Sequence, residues 1–205
     1  KTAFQPQFEL EDAKRAAAFA GTELTVLEFD ILSAPGVKEN PADRCYYCKK
    51  SLFAALTARA EEDGYTVLLD GTNASDDVSD RPGMRALTEL SVRSPLRECG
   101  LEKTEIRRLS EEAGLFTAQK PAYACLATRI PAGRTITAGD LEKVERSENA
   151  LFEIGYTDFR VRLTPGGAKL QFPKGQLMRA VAEWDGIKSR LKNDFSAVAI
   201  DLNGR

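Results

Sequence analysis

Histidine is absent from this 205-residue sequence, and its absence excludes several kinds of site. Without it the chain cannot form the Ser–His or Cys–His pairs of nucleophilic catalysis, nor a mixed Cys/His zinc site. The sequence also lacks any apolar run near the roughly 20 residues that a membrane-spanning helix needs. Its 29 basic and 31 acidic residues nearly cancel, so no general positive field favours nucleic acid. With no signal-peptide pattern, we expect a cytoplasmic protein with neither membrane nor nucleic-acid partners.

Cysteine is scarce, and disulfides between the four cysteines are not expected in a reducing compartment. Cys45 and Cys48 form a CxxC pair at the start of a predicted helix, where positions i and i+3 share one face. With Cys125 they could supply three thiolates to zinc or to an iron–sulfur cluster and leave a fourth position open. A chance pair plus a packing cysteine fits the spacing about equally well. Cys99 has no partner by spacing, so we predict a structural role for it.

The order of elements predicts an α/β fold followed by a smaller α+β domain. In the first part the patterns predict helices over 9–20, 44–62, 82–90 and 102–113, and strands over 23–29, 65–69 and 92–96. Such alternation indicates a parallel sheet covered by helices on both faces. Further on they predict a helix over 139–154, a hairpin of strands 158–163 and 168–172, helices over 174–184 and 187–191, and a last strand over 197–201. We place the domains at 1–130 and 131–205.

Polar residues follow the compact apolar strand predicted at 65–69. Asp70, Gly71, Thr72 and Asn73 stand at its carboxyl end, where open α/β sheets bind ligands. Asp76, Asp77 and Asp80 continue the stretch as an acidic loop. Carboxylates at such a strand end suit Mg²⁺ beside nucleotide phosphates. A solvated polar loop, with Asn and Asp chosen for turns, is the alternative that the residues alone favour.

Two arginines alternate with an apolar residue in the predicted strand at 158–163. Arg160 and Arg162 flank Val161, so both guanidinium groups project from one face of the sheet. Such a pair suits a phosphate or a carboxylate ligand. A solvated outer face with ordinary charge partners is about as compatible with this pattern.

Taken together, these stretches resemble the LarE family, the pyridinium-3,5-bisthiocarboxylic acid mononucleotide synthases of the PP-loop ATP pyrophosphatase superfamily. Their order and spacing cover nearly the whole chain, although each motif alone is weak. The matching segments are Asn40-Pro-Ala-Asp-Arg-Cys-Tyr-Tyr-Cys-Lys49, Asp70-Gly-Thr-Asn73, Asp80-Arg-Pro-Gly83, Arg93-Ser-Pro-Leu96, Pro121-Ala-Tyr-Ala-Cys-Leu-Ala-Thr-Arg-Ile-Pro131 and Phe159-Arg-Val-Arg162.

The resemblance implies an enzyme that uses ATP and Mg²⁺ to adenylate a carboxylate of pyridinium-3,5-biscarboxylic acid mononucleotide. Sulfur then replaces a carboxylate oxygen, and the product feeds the nickel-pincer nucleotide cofactor of lactate racemase. One branch of the family sacrifices a single cysteine, which becomes dehydroalanine. Another binds a [4Fe-4S] cluster through three cysteines and takes sulfur from a sulfide donor. Family members assemble as hexamers, which implies a homo-oligomer here.

Residue by residue, the resemblance places Cys125 at the position of the shared cysteine. Because Cys45 and Cys48 are also present, it implies the cluster type, with all three cysteines as ligands. Residues 70–73 and Asp77 then belong to the nucleotide and Mg²⁺ site. The residues expected to grip the substrate's phosphate or carboxylate are Thr128, Arg129, Arg160 and Arg162.

The superfamily's phosphate loop, Ser-Gly-Gly-x-Asp-Ser, does not occur in the sequence. In the family that loop precedes the position of Lys1, and we expect it there in the natural protein. Other interpretations remain open: a PP-loop enzyme that thiolates tRNA, sacrificial sulfur transfer from Cys125 without a cluster, and a non-catalytic metal-binding module.

Overall fold

A computed structural model describes residues 1–77 and 82–205 of the chain. The predicted acidic-loop residue Asp80 and its neighbour Arg81 lie outside the described residues. The helices are α1 (Gln7–Ala20), α2 (Arg44–Glu62), α3 (Pro82–Glu89), α4 (Pro95–Glu98), α5 (Lys103–Glu112), α6 (Ala138–Phe152), α7 (Lys174–Ala182) and α8 (Trp184–Leu191), and the strands are β1 (Arg160–Thr164), β2 (Gly167–Gln171) and β3 (Val198–Ile200). Two short 3-10 helices cover Ile31–Ser33 and Leu126–Arg129.

The chain divides into two compact units. Unit 1 comprises residues 1–2 and 7–120, and unit 2 comprises residues 3–6 and 121–205. The division falls before Pro121, whereas the sequence suggested a boundary near residue 130. The physical reason is that the stretch after Pro121 joins the interior of unit 2, where Leu126 and Ala127 are fully buried.

The helices of unit 1 follow the sequence prediction closely. α2 begins and ends where the pattern predicted, and α1 and α5 end at Gly21 and Gly114, both in the left-handed region with φ of 63° and 75°. The Asp43 side chain, at the N-cap position of α2, makes no capping hydrogen bond. The polar face of α5 is held by intrahelical ion pairs such as Arg108 with Glu105.

The strands predicted in unit 1 appear only as short parallel contacts. One isolated parallel bridge joins Leu69 to Arg93, whose N–H donates to the Leu68 carbonyl while its own carbonyl accepts from Asp70. Residues 23–29 and 65–69 are otherwise assigned to no strand. The prediction of a strand over 92–96 was wrong beyond this bridge, because Pro95 occupies the first turn of α4.

Lys1 makes the same pair of contacts with the stretch after α1. Its amino group donates to the Leu27 carbonyl at 2.6 Å, and its carbonyl accepts from the Phe29 N–H at 3.0 Å. This is the bonding pattern of one residue in a parallel pair of strands. The architecture of unit 1 is therefore helical, with parallel backbone pairing at two points.

Unit 2 contains the sheet of the molecule's described part and most of the buried apolar side chains. β1 and β2 form the predicted antiparallel hairpin, closing with Thr164 opposite Gly167, and β2 pairs with β3 in parallel. Gly167 is required here, because an added Cβ would lie 2.0 Å from the Ala197 carbonyl oxygen. α6 begins after the Thr137 cap, whose hydroxyl accepts from the Asp140 N–H.

The core of unit 2 forms where α6 and α8 pack with the sheet. Leu141, Val144 and Leu151 of α6 are buried along one stripe. Tyr156 and Phe172 pack with ring centroids 4.8 Å apart. No helix within 1–77 or 82–205 has the length and apolar character that a membrane crossing requires.

Candidate functional site

The CxxC pair lies on the first turn of α2. Cys45 is exposed and Cys48 is partly buried, and neither forms a disulfide. The preceding residue, Arg44, is buried; its guanidinium donates to the Asn40 side chain at 2.6 Å and lies 3.9 Å from the Cys45 sulfur. The structure therefore presents two thiols on one helical turn beside a fixed positive charge.

The Asp70 carboxylate organises the polar stretch after residue 69. It accepts hydrogen bonds from the hydroxyls of Ser94 and Thr72, both at 2.6 Å, and from the Thr72 N–H at 3.2 Å. Burial by itself raises the pKa of Asp70, but these hydrogen bonds and the charge of Lys49 outweigh it and lower the pKa below its ordinary value. Asp70 thus connects this stretch to Ser94, the residue that directly follows Arg93 of the parallel bridge.

The rest of the acidic loop is held by backbone contacts. Arg97 donates to the carbonyls of Asn73 and Asp76, at 3.3 and 2.8 Å, and the Asp76 carboxylate accepts from the Asn73 N–H at 3.0 Å. Gly71 and Asp77 are exposed. The predicted nucleotide and Mg²⁺ residues therefore form one ordered loop with carboxylates at its surface.

Lys49 joins these two features within unit 1. Its charge acts on Asp70, and its side chain passes close to Gly83, where an added Cβ would lie 3.0 Å from Lys49 Cδ. The cysteine-bearing helix and the Asp70 loop are therefore neighbours. The sequence analysis did not single out Lys49, although it directly follows Cys48.

Cys125 stands immediately before the 3-10 helix Leu126–Arg129 in unit 2. Its side chain is partly buried and forms no disulfide. Its carbonyl accepts from both the N–H and the hydroxyl of Thr128, at 3.0 and 2.8 Å. The next amide, that of Leu126, donates to the Phe4 carbonyl at 2.8 Å. These bonds fix the backbone around the cysteine.

Arg129 lies in the interior of unit 2 and is bonded on both sides. It pairs with Glu148 of α6, with Nε to Oε1 at 2.9 Å and Nη2 to Oε2 at 3.0 Å, and both side chains are at most 1% exposed. Its Nη1 donates to the Ala124 and Cys125 carbonyls at 2.6 and 3.3 Å. Burial opposes the charged form, but the hydrogen bonds and charge of Glu148 outweigh burial and raise the pKa of Arg129 above its ordinary value.

Arg160 and Arg162 project from β1 on the side opposite the buried Val161, as the period-two pattern predicted. Arg162 donates to the Thr128 carbonyl at 3.1 Å and to the Gln171 side chain. The Arg160 side chain makes no hydrogen bond or ion pair with other residues in the described part of the chain. Burial and then the charges of Arg129 and Arg162 lower the pKa of Arg160. Arg160 is thus a cation in a positive environment, which favours an anionic ligand.

No family model matches the chain. Individual proteins do match it over most of its length. It is 35% identical over 199 residues to the uncharacterised protein slr1717 of Synechocystis sp., which covers 96% of this chain and 74% of that protein. It is 30% identical over 197 residues to pyridinium-3,5-bisthiocarboxylic acid mononucleotide synthase of Lactiplantibacillus plantarum, covering 96% of this chain and 71% of the synthase. The chain belongs to this synthase family. The uncharacterised protein MJ0830 of Methanocaldococcus jannaschii is also similar, 31% identical over 203 residues that cover 98% of this chain and 77% of that protein.

In this member of the synthase family the predicted site residues fall into two groups. Unit 1 holds the CxxC pair and the loop from Asp70 to Asp77, and unit 2 holds Cys125 with the 3-10 helix and β1. Within either unit, no three Cys, Asp or Glu side chains in the described ranges gather closely enough to hold a metal ion. The three-cysteine site stays a prediction, because its members belong to different units.

Sequence reasoning missed Glu148, which completes the group around Cys125. A signal for it exists: Glu148 falls on the stripe of α6 that otherwise carries buried Leu141, Val144 and Leu151. An acidic residue on an apolar stripe indicates a buried partner of opposite charge. Tyr123 was passed over as well; its hydroxyl bonds the Glu148 carboxylate, and its ring lies 4.4 Å from the Arg129 guanidinium.

Proposed function

We propose that this protein is an ATP-dependent sulfur transferase that acts on pyridinium-3,5-biscarboxylic acid mononucleotide. The product would be the bisthiocarboxylic mononucleotide named in its L. plantarum relative, a precursor of the nickel-pincer nucleotide cofactor. The observation that carries the proposal is the grouping in unit 2 of the Cys125 thiol, which forms no disulfide, with the arginines of β1, linked through the bond from Arg162 to Thr128. Thiolation of a carboxylate on a phosphate-bearing substrate requires a soft nucleophile next to anion-binding groups.

In this proposal unit 1 belongs to a PP-loop α/β domain and supplies residues of the nucleotide site. The parallel bridge at Leu69 and the parallel contacts of Lys1 support a parallel sheet there. The loop from Asp70 to Asn73 follows the bridge directly, at the end of a strand where such folds bind nucleotides. Asp77 at the loop surface offers a carboxylate for Mg²⁺. Lys49 adds a positive charge near the phosphates.

The chemistry proceeds in two displacements. First, a substrate carboxylate oxygen attacks the α-phosphorus of ATP, and the bond to the leaving pyrophosphate breaks. The resulting acyl adenylate carries AMP as a good leaving group. A sulfur nucleophile then attacks the acyl carbon, and AMP departs with the original carboxylate oxygen. Neither step needs a histidine base, which fits a chain with no histidine.

Arg160 is the residue best placed to hold the substrate. It projects from β1 without a hydrogen-bonding partner in the described part of the chain, whereas Arg162 is already bonded to Thr128 and Gln171. An anion near Arg160 would relieve the repulsion among the three guanidinium groups. Thr128 points its hydroxyl at the Cys125 carbonyl, so it orders the cysteine loop in the same region.

A [4Fe-4S] cluster is the proposed sulfur carrier, with Cys45, Cys48 and Cys125 as ligands. The donor chemistry fits, because none of the three cysteines forms a disulfide and two of them lie on one helical turn. Held by these three thiolates, such a cluster would supply the iron chemistry that takes up sulfide from a donor. Without a cluster, Cys125 itself would give up its sulfur and become dehydroalanine. Assembly as a homo-oligomer, a hexamer in the resemblance, belongs to the proposal too.

Substrate-dependent ATP–pyrophosphate exchange tests the proposal. The full-length natural protein, handled without oxygen, should exchange pyrophosphate into ATP only when the mononucleotide is present. Exchange that requires tRNA instead would establish the tRNA-thiolating alternative, and the absence of exchange with either compound would favour a metal-binding module. Iron and acid-labile sulfide measured on the same preparation should be near stoichiometric and should disappear in Cys45→Ala. Absence of iron in the wild type would move the sulfur source to Cys125 itself.

A further inference from the structure

We propose that Glu148 and Arg129 are positioning residues that hold the Cys125 loop against the arginine-bearing strand β1. The inference rests on the proposed function for its catalytic consequence but on geometry alone for its structural part. It assigns a role to Glu148, which no sequence motif indicated. It also gives Arg129 an internal role, distinct from the substrate contact that we predicted from the sequence.

Glu148 contacts all three parts of the group around Cys125. Oε1 accepts from Arg129 Nε and from the Val161 backbone N–H, each at 2.9 Å. Oε2 accepts from Arg129 Nη2 at 3.0 Å and from the Tyr123 hydroxyl. One carboxylate therefore bonds the segment before Cys125, the 3-10 helix after it, and the strand that carries Arg160 and Arg162.

Arg129 transmits this anchoring to the backbone of the cysteine. Nε and Nη2 serve Glu148, while Nη1 reaches the Ala124 and Cys125 carbonyls and the Thr128 hydroxyl, the last at 3.0 Å. The planar guanidinium thereby fixes the carboxylate and the two carbonyls in one geometry. Because the Arg129 side chain is fully buried and these nitrogens are engaged, a substrate anion would have to displace existing bonds to reach it.

Stability alone gives a weak reason for this pair. Removing two charges from water is costly, and replacing a buried ion pair by apolar residues is often neutral or stabilising. Three of the other four buried residues of α6 are apolar, Leu141, Val144 and Leu151, so leucine at position 148 would extend this apolar set. What an apolar pair cannot reproduce is the set of directed bonds to two carbonyls and one amide. A displacement of about 1 Å at a reacting group can cost about 100-fold in rate.

The test compares the double variant Arg129→Met/Glu148→Leu with wild type and with Arg146→Met. Arg146 lies on the same helix, in an exposed pair with Asp194, and serves as the matched control. Two properties are measured on the full-length protein: amide hydrogen exchange and the kinetics of sulfur transfer. The informative amides belong to Leu126, Thr128 and Ile130, which donate within and beside the loop.

In the double variant we expect those three amides to exchange at least about tenfold faster. The Val161 amide, which loses its acceptor on Glu148, should exchange faster as well, while the amides of β2 stay unchanged. The kcat of sulfur transfer should fall about 100-fold, while KM for the mononucleotide and ATP–pyrophosphate exchange stay near wild type. Arg146→Met should change none of these. A folded double variant with wild-type loop exchange and wild-type kcat would overturn the inference, since the pair would then be replaceable packing.

Glu148→Gln keeps the test decisive if the double variant does not fold. Glutamine keeps the shape but only one acceptor oxygen, so faster exchange at the same amides and a lower kcat are expected, and their absence would count against positioning. The hydrogen-exchange result is independent of sulfur transfer. If wild type transfers no sulfur, the proposed function fails, whereas exchange of the loop amides still decides whether the pair holds Cys125.

Discussion

The two units differ in how far their apolar side chains are buried. Unit 2 buries a continuous set around α6 and the sheet, with Leu151, Val161 and Leu170 fully buried. In unit 1, by contrast, α1 and α5 contribute no buried residue at all, and Val67 and Leu69 beside the parallel bridge are 55% and 59% exposed. The loop around Cys125 thus lies in a packed environment, whereas the loop from Asp70 to Asp77 is ordered mainly by hydrogen bonds.

This difference suggests that sulfur transfer depends mainly on unit 2 and adenylation mainly on unit 1. The Cys125 group is held by buried charged bonds, which suits the positioning of a reactive sulfur. The Asp70 loop is held near the surface, where a nucleotide can reach it, and elements with few buried contacts are the ones that open and close most easily. We therefore expect substitutions in the two units to separate the two half-reactions.

The largest expected effect comes from opposing substitutions in the two units. Cys125→Ala should abolish sulfur transfer and leave substrate-dependent ATP–pyrophosphate exchange intact, because adenylation needs no thiol. Asp70→Ala should lower the exchange about 100-fold, because the bonds to Ser94 and Thr72 that order the loop are lost. Both assays are run on each variant. Loss of both activities in a well-folded Cys125→Ala protein would show that the division between the units is wrong.

A smaller effect is expected at Arg160. Arg160→Ala should raise KM for the mononucleotide by about tenfold, or about 1.4 kcal/mol, since one charge-assisted hydrogen bond is lost. KM for ATP should stay near wild type, because the loop from Asp70 to Asp77 that we propose for the nucleotide belongs to unit 1, whereas Arg160 belongs to unit 2. Exposed Arg190, in α8, provides a control as Arg190→Ala. Equal changes for both ligands would argue against the assignment of Arg160 to the substrate.

Core truncations test the packing contrast directly. Leu151→Ala should lower the free energy of unfolding of unit 2 by about 3 kcal/mol, because the side chain is fully buried. The transition can be followed by fluorescence of Trp184, the single tryptophan of the chain. Leu69→Ala should change hydrogen exchange in unit 1 by no more than the equivalent of about 0.5 kcal/mol. A comparable loss at Leu69 would mean that its side chain is covered in solution.

The smallest expected effect concerns how the stability of unit 2 depends on pH. Hydrogen bonds from Gln171 and then Lys169 lower the pKa of Asp201 from 3.8 to about 2. The stabilisation is therefore fully present above the unfolded-state value of 3.8 and is lost as pH falls toward the folded-state value. Asp201→Asn should flatten the decline of unit 2 stability between about pH 4 and pH 2. Urea unfolding followed at Trp184 gives the comparison, and identical pH profiles would contradict it.

Local signals in the sequence predicted most of the elements of unit 2. The helix predicted over 139–154, the hairpin and the alternation of Arg160, Val161 and Arg162 depend on neighbouring residues, and all three are present, the helix as Ala138–Phe152. In unit 1 the same reasoning located α2 but overestimated the strands. Strand formation depends on a partner chain segment, and the apolar stretch at 65–69 makes a single bridge within the described part.

The candidate site could be predicted only in part, for a related reason. The sequence motifs indicated Cys125 and the arginines of β1 as candidates, because a thiol is a nucleophile or metal ligand and a guanidinium group binds anions. Glu148 bonds Arg129 across 19 positions of sequence. The position of Glu148 on the buried stripe of α6 indicates a buried partner, but only the packing of α6 specifies that the partner is Arg129. The domain boundary shifted for the same reason, since the residues after Pro121 pack with α6 and β1.

Mass spectrometry of one anaerobic reaction tests the central claim most directly. The full-length protein is incubated with ATP, Mg²⁺, the mononucleotide and sulfide, and both the small-molecule product and the Cys125 peptide are weighed. The account predicts a product heavier by the difference between sulfur and oxygen, formed in excess over protein, with Cys125 unchanged. Dehydroalanine at Cys125 with at most one product per chain would contradict the cluster route. An unaltered mononucleotide, with ATP intact, would contradict sulfur transfer altogether.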